Sequence, residues 1–137
     1  MTGSPIEELA YVRETPITVD TAVERLTSEL QRRGFGVLAR IAVHETLKEK
    51  IGATIDPVVI LEVCSPRHAE TALRASRWTS LLLPCKIVVA REEGRSRISL
   101  VRPTQLLGRF LPLPDLESLG IEVETTLRQC VDATVDR

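Results

Sequence analysis

The sequence predicts a single α+β domain in which a mixed or antiparallel sheet carries helices on one face. Three observations predict this class. Strand-like and helix-like segments follow one another in the order strand-helix-strand-helix-strand-helix-strand-strand-helix. The chain has 137 residues, of which 43% are hydrophobic, and this suffices for one core. The run from 58 to 64 is apolar almost throughout, which is typical of a strand at the centre of a sheet.

The chain begins with a predicted strand and a predicted helix. Residues 1–8 are expected to be a flexible tail, and the strand covers 9–17. Thr18 has the side chain of an N-cap, and Gly34 is the left-handed residue that ends the helix after it. The apolar residues between them recur at helical spacing and form one buried stripe: Val19, Ala22, Val23, Leu26 and Leu30.

The middle of the chain supplies two strands and a short helix. A branched, alternating segment predicts a strand over 35–43, and a helix over 45–51 ends at Gly52. In the strand over 58–64, alternation directs Val59, Leu61 and Val63 to one face and Ile60, Glu62 and Cys64 to the other. Glu62 is costly to bury alone, so we expect its face to be open or covered by a second subunit in a homodimer.

The last third of the chain predicts a helix, a hairpin and a final helix. Ser65 and Pro66 open the first helix as N-cap and first helical residue. Strands over 81–91 and 97–101 form the hairpin, and Pro84 within the first of them predicts an edge or a bulge. The final helix buries one stripe: Leu116, Leu119, Val123, Leu127 and Val131. The domain is expected to span 9–132, with a tail over 133–137.

Charge and composition exclude several functions. Eighteen basic residues face 19 acidic ones, and only two Phe, one Trp and one Tyr are present. Nucleic-acid binding is not expected, because the chain lacks both a basic field and a stacking platform. No apolar stretch approaches the roughly 20 residues of a membrane span. The start of the chain does not have the pattern of a signal peptide, and we expect a cytoplasmic protein with reduced thiols.

Two cysteines at breaks in apolar runs are the main candidates for chemistry. Cys64 directly precedes a predicted helix start, where the helix dipole stabilises a thiolate, and His68 lies in the first turn of that helix. Cys85 follows Pro84. Both are interpreted either as packed core thiols or as a redox pair, a persulfide carrier or, with His68, a soft-metal site. The third cysteine, Cys130, is expected in the core.

Catalytic motifs are otherwise missing from the sequence. His44-Glu45 lacks the second histidine of a zinc-protease helix, because Lys48 stands in its place. Gly34 to Ala39 has the letters of a dinucleotide fingerprint but follows a helix and precedes a strand, the reverse of that motif. No Ser-His-acid arrangement is recognisable from spacing, so an enzyme is not the favoured interpretation.

Four segments together give the chain a resemblance to a known family. They are Gly34-Phe35-Gly36-Val37-Leu38, Thr46-Leu47-Lys48-Glu49-Lys50-Ile51-Gly52, Ile60-Leu61-Glu62-Val63-Cys64-Ser65-Pro66 and Leu81-Leu82-Leu83-Pro84-Cys85-Lys86-Ile87-Val88-Val89. The chain resembles domain of unknown function 302 over about residues 9–132. The resemblance implies a TATA-box-binding-protein-like α/β domain from bacteria or archaea that self-associates, and it implies no established reaction.

The chain departs from that family at several positions. Ser65 stands where family members carry Asn, and Glu62-Val63 stands where they often carry Gly-Ala. Arg40 and Ala42 replace acids in the second strand. If these positions line a ligand site, the ligand of this protein differs from that of its relatives.

The sequence therefore predicts a homodimeric binding or interaction module for a small ligand or a protein partner, with no cofactor required. Its candidate ligand or redox residues are Glu62, Cys64, Ser65, His68 and Cys85. A thiol-based redox, sulfur-carrier or soft-metal protein using Cys64 and Cys85 is the alternative. A third interpretation is a regulatory domain for a small apolar or anionic ligand, with the loop over 103–114 as its lid.

Overall fold

Five antiparallel strands form one sheet in the order β1-β5-β4-β3-β2. The computed structural model describes residues 5–111 and 113–136. The strands are β1 (Ala10–Thr15), β2 (Gly36–Ala42), β3 (Val58–Cys64), β4 (Cys85–Glu92) and β5 (Arg95–Val101). Every pairing is antiparallel, so of the two sheet types that the sequence allowed, mixed and antiparallel, the structure has the antiparallel one.

The helices flank this sheet and connect its strands. They are α1 (Pro5–Leu9), α2 (Val19–Arg32), α3 (Val43–Ile51), α4 (Pro66–Ala75), α5 (Pro103–Leu106) and α6 (Pro114–Val135), with a 3-10 turn at Arg77–Leu81. No helix in the described ranges is long and apolar enough to cross a membrane.

The core lies between one sheet face and the two long helices, α2 and α6. Leu26 and Leu30 of α2 and Leu127 of α6 are fully buried, together with Leu61 and Ile98 of the sheet. Each such side chain contributes about 1.5–3 kcal/mol relative to an exposed one, which fixes the helices on this face. The predicted alternation of β3 is confirmed, because Val59, Leu61 and Val63 are buried while their neighbours are partly exposed.

The helix boundaries follow local sequence signals. The Thr18 side chain caps α2 by accepting a hydrogen bond from the Thr21 amide, and Gly34 has a φ of +82° just past the helix end. Gly52 ends α3 in the left-handed conformation, as predicted. The hairpin turn is tighter than the sequence indicated, because Glu93 and Gly94, both at positive φ, connect β4 and β5 directly.

Two expectations about the chain ends need correction. Residues 5–8 belong to α1, and the rest of the tail predicted over 1–8 lies outside the described residues. At the other end, α6 continues to Val135 and buries Thr134 completely, so the helix occupies most of the tail expected over 133–137. Arg13 of the edge strand β1 holds this end by ion pairs to Asp132 and Asp136.

The expectation for Pro84 was also wrong. Pro84 precedes β4 rather than interrupting it, and β4 lies between β3 and β5 rather than at an edge. Of the residues before β4 that were expected to be strand, Leu81 ends the 3-10 turn and 82–84 form the connection that follows it. Proline is tolerated here because no ladder hydrogen bond is required of its nitrogen before the strand begins. Cys85 therefore becomes the first residue of β4.

Candidate functional site

All five candidate residues line two neighbouring cavities at one end of the sheet. The larger, here called the sheet-end cavity, has a volume of about 350 Å³. The smaller, here called the thiol cavity, has a volume of about 20 Å³. Four lining residues are common to both: Leu83, Pro84, Cys85 and Leu107. The five candidate residues therefore lie in one region of the structure.

The sheet-end cavity lies where β3 and β4 meet the segment after β5. Glu62, Cys85 and Lys86 contribute from the strands. The remaining lining residues are aliphatic or proline: Leu81, Leu82, Leu83, Pro84, Val101, Pro103, Leu106 and Leu107. The loop that the sequence suggested as a lid thus supplies part of one wall, through Pro103 and α5.

Glu62 and Lys86 form the polar part of this cavity. They are direct partners across β3 and β4, and the Lys86 Nζ lies 2.9 Å from the Glu62 Oε1. The Glu62 side chain is 19% exposed and that of Lys86 is 44% exposed. The pair carries no net charge, yet it leaves one carboxylate oxygen and two ammonium protons for other partners. Sequence reasoning missed Lys86, which only the strand register places opposite Glu62.

The thiol cavity contains Cys64, Ser65, His68 and Cys85. Val63 pairs with Cys85 across β3 and β4, which brings Cys64 next to the Cys85 position in the adjoining strand. Both cysteines are free thiols and are partly exposed, whereas Cys130 is fully buried in the core, as expected. The remaining walls are mainly apolar and include Phe35, Ala72 and Leu119.

Burial makes both thiols weaker acids, whereas a reactive thiol requires a lowered pKa. It raises the pKa of Cys64, and it raises the pKa of Cys85 to about 12, with the nearby charges of Cys64 and Glu62 adding to the shift. The position before α4 suggested a stabilised thiolate, but desolvation dominates. Both thiols are therefore protonated at neutral pH.

Ser65 and His68 form a hydrogen-bonded chain that includes Glu122 of α6. The Ser65 Oγ lies 2.7 Å from the His68 Nδ1, and the His68 Nε2 lies 3.2 Å from the Glu122 Oε1. The structure thus contains a Ser-His-acid arrangement that could not be recognised from the sequence spacing. Glu122 is 54 positions from His68, and no local spacing could have found it. Ser65 is the N-cap of α4 as predicted, but its side chain makes no capping bond.

A metal site receives no geometric support from this region. Within residues 5–111 and 113–136, no three His, Cys, Asp or Glu side chains form a group that could hold an ion. Cys64, Cys85 and His68, the set considered from the sequence, do not form such a group.

The comparisons with known proteins agree with the fold. A family described as a domain of unknown function, DUF302, matches residues 11–134. A crystal structure described as an uncharacterized conserved DUF302 protein from Bacillus stearothermophilus is similar with a TM-score of 0.86 and 35% identity, over 91% of this chain and 97% of that one. No curated protein matches the chain.

Proposed function

The chain belongs to the family described as domain of unknown function DUF302, and from this premise we propose that it is a homodimeric module that binds a small, mainly apolar ligand in the sheet-end cavity. The observation that carries the proposal is the cavity itself. Its volume of about 350 Å³ falls in the usual range of small-molecule sites, and its walls are apolar apart from one ion pair and one thiol. We place this activity in the cytoplasm, where the free cysteines stay reduced.

The Glu62–Lys86 pair defines the head group of this ligand. A carboxylate ligand would attract Lys86 but be repelled by Glu62, and an amine would meet the reverse problem. A neutral group that donates to the Glu62 carboxylate and accepts from the Lys86 ammonium satisfies both charges without breaking their bond. The preferred ligand is therefore an aliphatic compound with an uncharged head of the primary-amide kind.

This proposal is tested by titrating ¹⁵N-labelled protein with hexanamide, hexanoate and hexylammonium. Hexanamide is expected to shift the amide signals of Lys86, Val101 and Leu107 at the lowest concentration, since it alone matches both charges. Signals of α3, which contributes no residue to the cavity, serve as the internal reference. Equal responses to all three probes would contradict the role of the ion pair. No response around the cavity to any of them would contradict the site.

The sheet face opposite α2 and α6 supports the dimer. One row of directly paired residues crosses all five strands on this face: Val12, Ser99, Val88, Ile60 and Ile41. Glu62 and Lys86 lie beside this row on one side, and Arg97 lies beside it on the other. A second copy related by a two-fold axis would place this row, which is apolar except for Ser99, against its own copy, with charges of both signs around it.

A thiol function is the second candidate, because Cys64 and Cys85 line one cavity and interact electrostatically. Treatment with a disulfide-forming oxidant such as diamide tests it: a Cys64–Cys85 bond removes two hydrogens from the mass of the protein. Cys64→Ser is the control that prevents the bond. Persistence of both thiols under conditions that oxidise a free peptide thiol would exclude a redox pair. A persulfide on Cys64 would instead add one sulfur atom to the mass of protein purified without oxygen.

A further inference from the structure

We propose that Ser65, His68 and Glu122 form an acyl-transfer site in the thiol cavity, with Ser65 as nucleophile, His68 as base and Glu122 as the residue that positions the imidazole. This activity is separate from ligand binding in the sheet-end cavity. It rests on two side-chain hydrogen bonds. The Ser65 Oγ lies 2.7 Å from the His68 Nδ1, and the His68 Nε2 lies 3.2 Å from the Glu122 Oε1. Nucleophile, base and orienting acid at such distances are the arrangement that activates a hydroxyl.

The hydrogen bonds determine which imidazole nitrogen is the base. The Glu122 carboxylate is an acceptor, so the neutral ring places its proton on Nε2 and donates it to Oε1. The Nδ1 is then free to accept the Ser65 hydroxyl proton. The ring is held further by stacking on Phe35, with centroids 5.8 Å apart and planes inclined by 20°. The proton path thus runs from Ser65 toward His68.

The start of α4 provides donors for the charge that develops on the acyl oxygen. Because the Ser65 hydroxyl is engaged by His68, it does not cap the helix. Among the described residues, the backbone amides of Arg67 and His68 therefore have no hydrogen-bond acceptor. Amides of the first helical turn point toward the N-cap side chain, where an ester of Ser65 would carry its oxygen.

The size of the thiol cavity selects the acyl group. Its volume of about 20 Å³ is that of a methyl group or a single water, and its walls include Phe35, Ala72 and Leu119. Ser65 itself is 7% exposed. The class of substrate is therefore an acetyl ester with an activated leaving group that remains outside the cavity.

The reaction balances without any further reagent. The Ser65 Oγ adds to the acetyl carbonyl carbon as its proton moves to the His68 Nδ1. The bond to the leaving oxygen breaks, the leaving group takes that proton and departs as the alcohol, and Ser65 carries the acetyl group. Water then adds with His68 as base, and acetate leaves as the Ser65 hydroxyl is restored.

The test uses p-nitrophenyl acetate with the whole chain. We expect release of p-nitrophenolate together with a mass gain of one acetyl group, mapped by fragmentation to Ser65. Ser65→Ala abolishes this acetylation, whereas Ser80→Ala, which alters an exposed serine, leaves it unchanged. His68→Gln lowers the acylation rate about 100-fold, since general-base catalysis is lost.

Glu122 is a positioning residue and needs a separate readout. Its side chain is 68% exposed, so its variants are expected to fold. Glu122→Gln lowers the acylation rate, whereas Glu122→Asp, which keeps a carboxylate, retains most of it. Both variants should have the circular dichroism spectrum of the wild type, which shows that the fold is intact. Acetylation that maps to Cys64 or a lysine, or a rate that Ser65→Ala and Glu122→Gln leave intact, would overturn the proposal.

Discussion

The Nζ of Lys86 lies 2.9 Å from the Oε1 of Glu62, directly across β3 and β4 and on the sheet face away from the long helices. This ion pair has two consequences in the structure. It joins opposite charges at one register position of the two central strands, and it forms the polar part of an otherwise apolar cavity. The contact between the two central strands and the polar part of the candidate site thus share the same two residues.

The first prediction concerns the strength of this pair. A double-mutant cycle with Glu62→Gln and Lys86→Met is expected to give a coupling free energy of about 0.5 kcal/mol, because the pair is partly exposed and screened. Urea unfolding of the wild type, both single variants and the double variant measures it. The same cycle on Glu70 and Arg74, an exposed helical pair, is the control. A coupling indistinguishable from zero for Glu62 and Lys86 would mean that the pair does not stabilise the sheet.

The second prediction follows from Cys85. Its pKa is about 12 in the folded protein, against an ordinary value of 9.0. Between these values the unfolded chain releases a proton that the folded protein retains, so stability falls as pH rises above 9.0. Between pH 8 and pH 10 the free energy of unfolding of the wild type should therefore fall. Over the same range that of Cys85→Ala should fall by about 1 kcal/mol less, because the variant lacks this thiol.

The control for Cys85 is Val63→Ala, which removes volume at the cross-strand partner without removing a titratable group. It should be less stable than the wild type at both pH values and lose as much stability between them as the wild type does. If Cys85→Ala and the wild type show the same pH dependence, desolvation does not raise the pKa of the Cys85 thiol as described here.

The third prediction concerns the open sheet face. Val88 lies in the middle of the row Val12, Ser99, Val88, Ile60 and Ile41, so Val88→Glu places a charge at the centre of the proposed dimer interface. This variant should sediment as a monomer at concentrations at which the wild type is a dimer. Thr125→Glu adds the same charge to an exposed position of α6 and should remain dimeric. A monomeric wild type, or a dimeric Val88→Glu, would contradict an interface on this face.

Sequence patterns predicted most of the fold because the signals were local. The alternation of 58–64 gave both ends of β3 and the burial of its faces, and Thr18, Gly52 and the Ser65-Pro66 pair marked helix boundaries correctly. The pattern failed at Pro84. There an apolar run continued through a 3-10 turn into a strand, and hydrophobicity alone cannot separate the two.

The site was predictable only in part. Glu62, Cys64, Ser65, His68 and Cys85 lie around two adjoining cavities, but their partners Lys86 and Glu122 come from distant segments. The direction of the Cys64 pKa shift was also missed. A helix start favours a thiolate, and only the structure shows that burial outweighs it.

The most direct test of the proposed function fills the sheet-end cavity and measures hexanamide binding by calorimetry. Leu106→Trp places a larger side chain in the cavity wall, whereas Ile51→Trp makes a comparable change at an exposed position of α3. We expect the wild type and Ile51→Trp to bind with the same Kd and Leu106→Trp to bind at least tenfold more weakly, with all three proteins folded. Equal affinity of Leu106→Trp and the wild type would contradict binding in this cavity.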